Sequence, residues 1–461
     1  MSLAVRSTCR KTGVGVLIVA LGLSISASRG QAQVGQAQAG LPRVDKPPAG
    51  QPQADKLREG GDPNPLPGGR PQDTARAIQE PDEFAWQLFL SLSRQALAGK
   101  RGELDPAKPT IKDYDPDKSV VWETWALSSG GRSGSFRVVP NQSEVFRDRG
   151  EKPAAWDELP TSSATRKSFE PLPAQQRVGL SPEAIEQVKL LLRISPTAAA
   201  EDGSEVRMNR ATYDHVRDNN LFSLEGLEDT FRANRKIDFP VASQEIKAQW
   251  QRIEEKDKPR YHWRTVNGKL WGLTGLHIIT RDLPNWFWCD FEHVDYEPMA
   301  EFPSVDRTTR GDQVPREKQG IRPETVGSKW ANYRLRGSQV DFTDAQGRPT
   351  VLANTQIERG FQQTSSCITC HARATVGLRT TTPLPDGRVA DPNLPNSLPT
   401  FVQVLSQPGT LARVRVGAVG TPDTRWFQDD RGATRYIQTD FIWALPFRVL
   451  STKESPPAPG G

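Results

Sequence analysis

Two long runs of aromatic and β-branched residues constrain the fold of this chain most strongly. The segments KLWGLTGLHIIT and NWFWCDFEHV lie on either side of the short polar stretch RDLP. Residues of these types favour strands, and a proline-bearing turn between two such runs favours chain reversal. We therefore expect two strands of an antiparallel hairpin or meander.

Side chains alternate between the two faces of a strand, so the second run predicts two different surfaces. One face would carry Phe287, Cys289, Phe291 and His293, and the other Trp286, Trp288, Asp290 and Glu292. In the first run, His277 would share an apolar face with Leu273 and Ile279. Cys289 is expected to be a small buried hydrophobic residue.

Other segments predict helices. Phe84, Leu88 and Leu92 recur at spacing four, which indicates an amphipathic helix and places the start of the folded part near Pro81. SPEAIEQVKLLLRIS has a serine and then a proline where a helix would begin. SQEIKAQWQRIEEK predicts a third helix, with Ile246, Trp250 and Ile253 on one face.

Two further segments complete a mixed pattern. VVWETWAL is compatible with a short strand or a helix, and RYIQTDFIWALPFRV predicts a strand that finishes at Pro446. Long polar, proline-bearing stretches lie between these elements at 161–178 and 381–400. The expected fold class is therefore α+β, loop-rich and irregular, with a short antiparallel sheet.

The N-terminus has the organisation of an export signal. Arg6, Arg10 and Lys11 precede the apolar run VGVLIVALGLSISA, and small residues follow it. We assign residues 1–30 as a signal peptide, and Cys9 would leave with it. Residues 31–78, rich in Gln, Pro, Gly and Ala, predict a disordered tether, 79–450 a single α+β domain and 451–461 a disordered tail.

Charge and cysteine content exclude several classes of protein. Loss of Arg6, Arg10 and Lys11 lowers the formal charge from +5 to +2, or to +1 if the cut falls after Arg29, so no strongly basic face for nucleic acid is expected. No transmembrane span is expected after the signal is removed. Cys289, Cys367 and Cys370 are too few for a disulfide scaffold, so the fold must depend on apolar burial.

The segment Cys367-Ile368-Thr369-Cys370-His371 carries the chemistry. On a helical turn these cysteines and the histidine stand at i, i+3 and i+4 and project from one face. Two thioether bonds to one haem and an axial imidazole ligand to its iron fit that spacing. Ser365 or Ser366 is expected to cap the turn. A zinc pair and a redox dithiol are weaker alternatives, because no second ligand pair and no βαβ context accompany the motif.

The second axial ligand of the iron must come from upstream or be absent, since no histidine or methionine follows His371. Small soluble c-type cytochromes usually place a methionine ligand well after the motif, so a standard small cytochrome c domain is not expected. The upstream candidates are Met208, His215, His262, His277, His293 and Met299. His293 is favoured, with Asp295 as an orienting partner. The competing interpretation of His293 is a core histidine satisfied by hydrogen bonds, and His277 and Met299 are the next candidates.

The chain also resembles a group of bacterial exported cytochrome c family proteins. These combine a GLHI segment, a W-x-W-x-x-FEHVD segment and one C-x-x-C-H motif, all of which occur here in that order. The resemblance covers roughly residues 80–450, with the specific motifs in its second half. It implies one haem c per chain, attached at Cys367 and Cys370 with His371 as the proximal iron ligand, and it implies no substrate.

The sequence therefore predicts a periplasmic or secreted monohaem cytochrome that transfers electrons to or from a redox partner protein of unknown identity. This function requires a filled sixth position on the iron. The alternative is a haem oxidoreductase or ligand sensor with an open distal site for peroxide, oxygen, nitric oxide or an organic substrate.

Overall fold

The computed structural model describes residues 75–131, 143–147, 150–160, 202–310, 314–315, 318–358, 362–377, 401–407, 410–415, 419–424, 427–428 and 431–448. The expected signal, most of the tether, the tail and the helix expected at SPEAIEQVKLLLRIS lie outside these residues. None of the helices in these described residues combines the length and the apolar composition that a lipid bilayer span requires.

Seven antiparallel strands form the main sheet. They are β1 (Ala126–Gly131), β2 (Asp202–Met208), β3 (Gln244–Arg252), β4 (Trp263–Val266), β5 (Lys269–Thr280), β6 (Phe287–His293) and β7 (Tyr333–Gln339). Their order is β1-β2-β3-β5-β6-β7, and β4 pairs with β5. The expected hairpin is confirmed as β5 and β6, which pair from Gly275 with Glu292 to Thr280 with Phe287. The α+β class is confirmed, and the sheet is larger than the expected short one.

The helices are α1 (Arg76–Gln79), α2 (Pro81–Leu92), α3 (Arg210–Asp218), α4 (Leu224–Arg232), α5 (Cys367–Ala372) and α6 (Ala444–Arg448). Two small sheets pair β8 (Thr375–Val376) with β11 (Ile437–Gln438), and β9 (Phe401–Gln407) with β10 (Thr410–Arg415). The amphipathic helix near Pro81 is confirmed as α2, and Phe84, Leu88 and Leu92 are fully buried.

The main sheet is covered on both faces, and the alternation expected in β6 decides which residues meet which helix. Phe287, Cys289 and Phe291 join the apolar cluster that includes α2, and we call this side the α2 face. Trp286 and Trp288 join the cluster that includes Cys367 and Ile368 of α5, and we call this side the α5 face. The alternation predicted for this segment is confirmed.

The helix predicted at SQEIKAQWQRIEEK is wrong, because this segment forms strand β3 between β2 and β5. Ile246, Ala248 and Trp250 all lie in the cluster of the α2 face, which is the two-residue period of a strand. A spacing of four between Ile246 and Trp250 satisfies both periods, so it did not distinguish a helix from a strand. Hydrogen bonding to two neighbouring strands decided the outcome.

The strand predicted at RYIQTDFIWALPFRV is mostly wrong. Only Ile437–Gln438 is a strand, and a turn then leads into α6, which contains Pro446 in its first turn. Proline is tolerated there because the first helical amides have no partner within the helix. The segment VVWETWAL contains both alternatives, a short 3-10 helix at Val121–Thr124 followed by the start of β1.

A β-bulge in β5 changes which residues share a face with His277. Gln249 pairs with Gly275 and Trp250 pairs with Leu273, so Thr274 is an additional residue on this strand. One additional residue reverses the facing of everything before it. Ile279 therefore packs on the α5 face as expected for a neighbour of His277, whereas Leu273 packs on the α2 face, which corrects that part of the prediction.

Candidate functional site

Helix α5 carries both motif cysteines and His371. Cys367 is buried, while Cys370 and His371 are partly exposed. Ser366 occupies the cap position, but its side chain bonds no helix amide. Instead, the side chain of Gln339 at the end of β7 accepts a hydrogen bond from the Ile368 amide at 3.0 Å and donates one to Ser366 Oγ at 2.7 Å. The main sheet itself therefore caps and positions the motif helix.

The ring of His371 is oriented by a backbone carbonyl. Its Nδ1–H donates to the Phe441 oxygen at 2.8 Å. Asp440 and Phe441 both have left-handed backbones, with φ of 46° and 69°, which is uncommon for any residue but glycine and is an outlier for a bulky one. The Asp440 carboxylate holds this turn by accepting bonds from the Phe239 amide at 2.8 Å and Arg281 Nε at 3.0 Å. Histidines that donate a hydrogen bond from Nδ1 ligate metals through Nε2.

A second histidine, His277 of β5, lies next to His371 on the α5 face. The two ring centres are 5.8 Å apart. Trp288 lies beside both, with its ring centre 4.7 Å from that of His371 and 5.9 Å from that of His277. The structure thus brings together two of the histidines that the sequence raised as iron ligands.

His277 is held by a chain of hydrogen bonds through the sheet. Its Nδ1–H donates to Asp290 Oδ2 at 3.0 Å, across the β5–β6 pair. Asn354 Nδ2 donates to the other carboxylate oxygen of Asp290 at 2.6 Å. His277 Nε2 is buried and has no hydrogen-bond partner among the described residues. A buried polar atom of this kind requires an explanation.

Carboxyl groups continue beyond Asp290 along the α5 face. Glu292 is fully buried, and its oxygens lie near the Thr355 amide and 3.6 Å from Arg336 Nε. Burial raises the pKa of Glu292 to about 8 against the opposing effect of Arg336. Burial also raises the pKa of Glu358, which accepts a bond from the Asn354 amide at 2.7 Å. This side of the sheet is therefore rich in titratable groups.

Cys367 has the environment of a protected thiol. It is almost fully buried, and its Sγ lies 3.2 Å from the Leu352 carbonyl oxygen. Burial raises its thiol pKa well above the ordinary value, with nearby carboxylates adding to the effect. A thiol of this kind is a poor nucleophile. The setting therefore disfavours the redox-dithiol alternative.

His293, the distal ligand favoured by the sequence, lies on the α2 face, with the sheet between it and His371. Its ring stacks on Tyr261 at 3.7 Å. Its Nδ1 accepts a bond from the Asp295 amide at 3.2 Å, and its Nε2 lies 3.2 Å from the Arg260 carbonyl oxygen. Both nitrogens are engaged, as in the competing interpretation of a satisfied core histidine.

The remaining candidates lie apart from the motif. His262 is fully buried on the α2 face, with Nδ1 3.0 Å from the Tyr114 hydroxyl. His215 contacts Phe239 with a ring-centre separation of 4.5 Å. Met208 is fully buried at the end of β2, and Met299 is 44% exposed with its sulfur 3.7 Å from Gln356 Nε2.

Sequence reasoning missed Asp290 as an orienting group, as well as Asn354 and Gln339. Asp290 was assigned to the correct face of β6 but was not linked to His277. The pairing of β5 with β6 could have supplied that link, since residues on both sides of a short turn at 281–286 must meet. Asn354 and Gln339 come from distant segments, and no local pattern identifies them.

His277, Asp290 and Cys367 also form a cluster of possible metal ligands. One ligand atom from each lies within 4.8 Å of those of the other two, and all three residues are buried. Comparison of this chain with models of known protein families, with curated proteins and with solved structures finds no match. The interpretation of the site therefore depends on its own residues.

Proposed function

We propose that this chain is an exported, periplasmic or secreted, monohaem c-type cytochrome that transfers electrons. Cys367 and Cys370 would form the two thioether bonds and His371 would be the proximal iron ligand. The haem would supply one-electron exchange between Fe(II) and Fe(III). The main supporting observation is the placement of all three residues on α5 with His371 Nδ1 bonded to the Phe441 carbonyl.

The residues at the site fit this group on three counts. His371 has the hydrogen bond at Nδ1 that metal-ligating histidines usually make. The buried Nε2 of His277 faces no protein partner among the described residues. The aromatic ring of Trp288 and the apolar side chains of α5 and β5 supply the surroundings that limit water access to a buried redox centre.

The test is covalent attachment in the full chain, exported by its own N-terminus in a bacterial host that matures c-type cytochromes. We expect the intact protein to be heavier by one haem, and its reduced pyridine complex to show two saturated vinyl positions. Cys370→Ala should leave one thioether at most. Cys289→Ala is the matched control, because it removes a buried cysteine outside the motif and should leave attachment unchanged. An unmodified mass with both motif thiols open to alkylation would refute the proposal.

A second candidate function is a metal-ion site formed by His277, Asp290 and Cys367, favoured by the compact arrangement of their ligand atoms. A thiolate ligand and a thioether at Cys367 exclude one another, so the two candidates are separable. The metal site does not use Cys370, whereas double haem attachment does not use Asp290. Stoichiometric zinc that survives Cys370→Ala and is lost in Asp290→Asn would favour the metal site and contradict the haem.

The sixth position on the iron decides between an electron carrier and the alternative of an enzyme or sensor. The ferric protein of a carrier should be low-spin and six-coordinate, while an open site for peroxide, oxygen or nitric oxide should be high-spin. Optical and spin-resonance spectra of the purified protein separate these outcomes. A high-spin ferric state would replace electron transfer by the oxidoreductase or sensor function.

A further inference from the structure

We infer that His277 is the second axial ligand of the haem iron and that Asp290 and Asn354 are its positioning residues. This inference rests on the proposed function and deepens it by completing the ligand set. It takes His277 in place of His293, because the sheet places the two histidines on opposite faces and only His277 shares a face with His371.

The separation of the two imidazole rings supports this assignment. Metal-to-imidazole bonds of about 2 Å place the centres of two rings on opposite sides of one metal roughly 6 Å apart. The rings of His277 and His371 are separated by 5.8 Å. The backbone elements β5 and α5 therefore already hold the two imidazoles at the spacing that shared ligation of one iron requires.

The Nε2 atom of His277 is available to bind a metal. The bond from Nδ1–H to Asp290 sets the tautomer of His277, so that Nε2 carries a lone pair. That atom is buried without a hydrogen-bond partner among the described residues. An unsatisfied buried acceptor destabilises the folded protein, and ligation of a metal would satisfy it. By contrast, ligation by His293 would break one of its two existing bonds.

Asp290 and Asn354 fix the position of the His277 ring. Asp290 accepts from His277 with one oxygen and from Asn354 with the other, so its carboxylate is held on both sides. Gly275 makes room for Asn354, since a Cβ at Gly275 would lie 2.8 Å from Asn354 Nδ2. A carboxylate on the second nitrogen makes an imidazole a stronger electron donor to its metal. Asp290 should therefore favour the ferric state and lower the reduction potential.

The experiment uses the full exported chain with its haem attached, and mass spectrometry establishes attachment first. We expect wild-type ferric protein to be low-spin, with the magnetic circular dichroism signature of two imidazoles. His277→Ala should convert it almost completely to high-spin while the haem stays covalently attached, and added imidazole should restore the low-spin spectrum. His215→Ala is the matched control and should leave the spectrum unchanged.

Asp290→Asn supplies a readout that does not depend on loss of the ligand. We expect the protein to stay low-spin and the midpoint potential to shift positively. Asp295→Asn, which alters the carboxylate beside His293 instead, should leave the potential unchanged. If His277→Ala does not fold, the wild-type signature and the Asp290→Asn shift still test the inference.

Each failure has a distinct signature. Absence of attached haem refutes the proposed function together with this inference. Attached haem with a thioether-ligand signature, or with a low-spin spectrum that survives His277→Ala, refutes the inference alone. Attached haem with a high-spin wild-type spectrum refutes both the inference and the electron-transfer role. Equal potential shifts in Asp290→Asn and Asp295→Asn would assign the effect of Asp290 to general charge instead of positioning.

Discussion

The two faces of the main sheet are built by the same alternating strands but hold different kinds of groups. On the α2 face, aromatic rings pack edge to face and stacked, and both nitrogens of His293 lie near a partner. His262 Nε2 on this face has no hydrogen bond among the described residues, but it lies 3.3 Å from Glu123 Oε2. On the α5 face, His277 keeps a buried nitrogen without a partner among the described residues and lies beside the motif histidine. The face of the sheet therefore assigns a histidine to the candidate site, because it places His277 and not His262 beside His371, whereas the apolar character of its neighbours does not.

The largest expected effect is a loss of stability on the α2 face that leaves the proposed haem site unchanged. Phe89 is fully buried, stacks on Phe291 at 4.3 Å and meets Trp330 edge to face at 5.6 Å. Phe89→Ala should lower the free energy of unfolding by about 3 to 5 kcal/mol, since it removes a buried ring and leaves a cavity. Denaturant unfolding measures the loss. The spectrum of the proposed haem should not change, and a change of spin state in this variant would contradict the separation of the two faces.

The next effect is the dependence of stability on pH. Burial lowers the pKa of His262 to about 3, although Glu123 opposes the shift. Between pH 6.5 and 3 the unfolded chain therefore binds a proton that the native chain does not, so stability falls as pH falls. His262 alone should remove about 2 kcal/mol between pH 7 and pH 5.

Urea unfolding at several pH values checks the contribution of His262. The charged groups that influence the pKa of this histidine are Glu123, Arg264 and Lys329, and the Tyr114 hydroxyl lies 3.0 Å from its Nδ1. His262→Gln retains a polar side chain that does not titrate, so its stability should vary less between pH 7 and pH 5 than that of the wild type. An unchanged pH slope in His262→Gln would contradict the lowered pKa, because it would show that this histidine titrates alike in the native and unfolded states.

Local patterns were sufficient for parts of the fold where one period dominates. The apolar runs on either side of RDLP predicted β5 and β6, and spacing four predicted α2, because neighbours in sequence supply the relevant contacts. The same reasoning failed at β3, where Ile246 and Trp250 fit both periods and the neighbouring strands decided the structure. It also failed at Asp440 and Phe441, where contacts from Arg281 and Phe239 stabilise a turn within a segment of strand-like composition.

The candidate site was likewise predictable only in part from local sequence. Cys367, Cys370 and His371 lie within five residues and could be read directly from the sequence. Preference for His293 over His277 followed from apolar character, which does not reveal on which face of the sheet α5 packs. Asn354 reaches Asp290 from 64 residues away, so only the folded chain brings them together.

A smaller effect is expected from a substitution that crowds Asn354, whose hydrogen bond to Asp290 supports His277. Gly275→Ala places a Cβ 2.8 Å from Asn354 Nδ2 and should displace this side chain from Asp290. We expect a loss of about 1 kcal/mol in unfolding free energy, typical for one hydrogen bond. The midpoint potential should also shift, because the Asp290 carboxylate loses its second partner. Asn354→Ala is the matched comparison, because it removes the same bond without crowding. Gly268→Ala would be a poor control, because the backbone φ of Gly268 is 70°.

The smallest effect concerns an exposed candidate ligand that lies apart from the motif. Met299 is 44% exposed and its sulfur has one long contact, 3.7 Å from Gln356 Nε2. Met299→Leu preserves volume on the surface, so the free energy of unfolding should change by less than about 0.5 kcal/mol. The ferric spectrum should stay low-spin, because the second axial position is assigned to a buried imidazole and not to a thioether. Conversion to high-spin by this substitution would transfer the ligand role from His277 to Met299, and would show that an exposed loop, instead of the buried α5 face, completes the iron site.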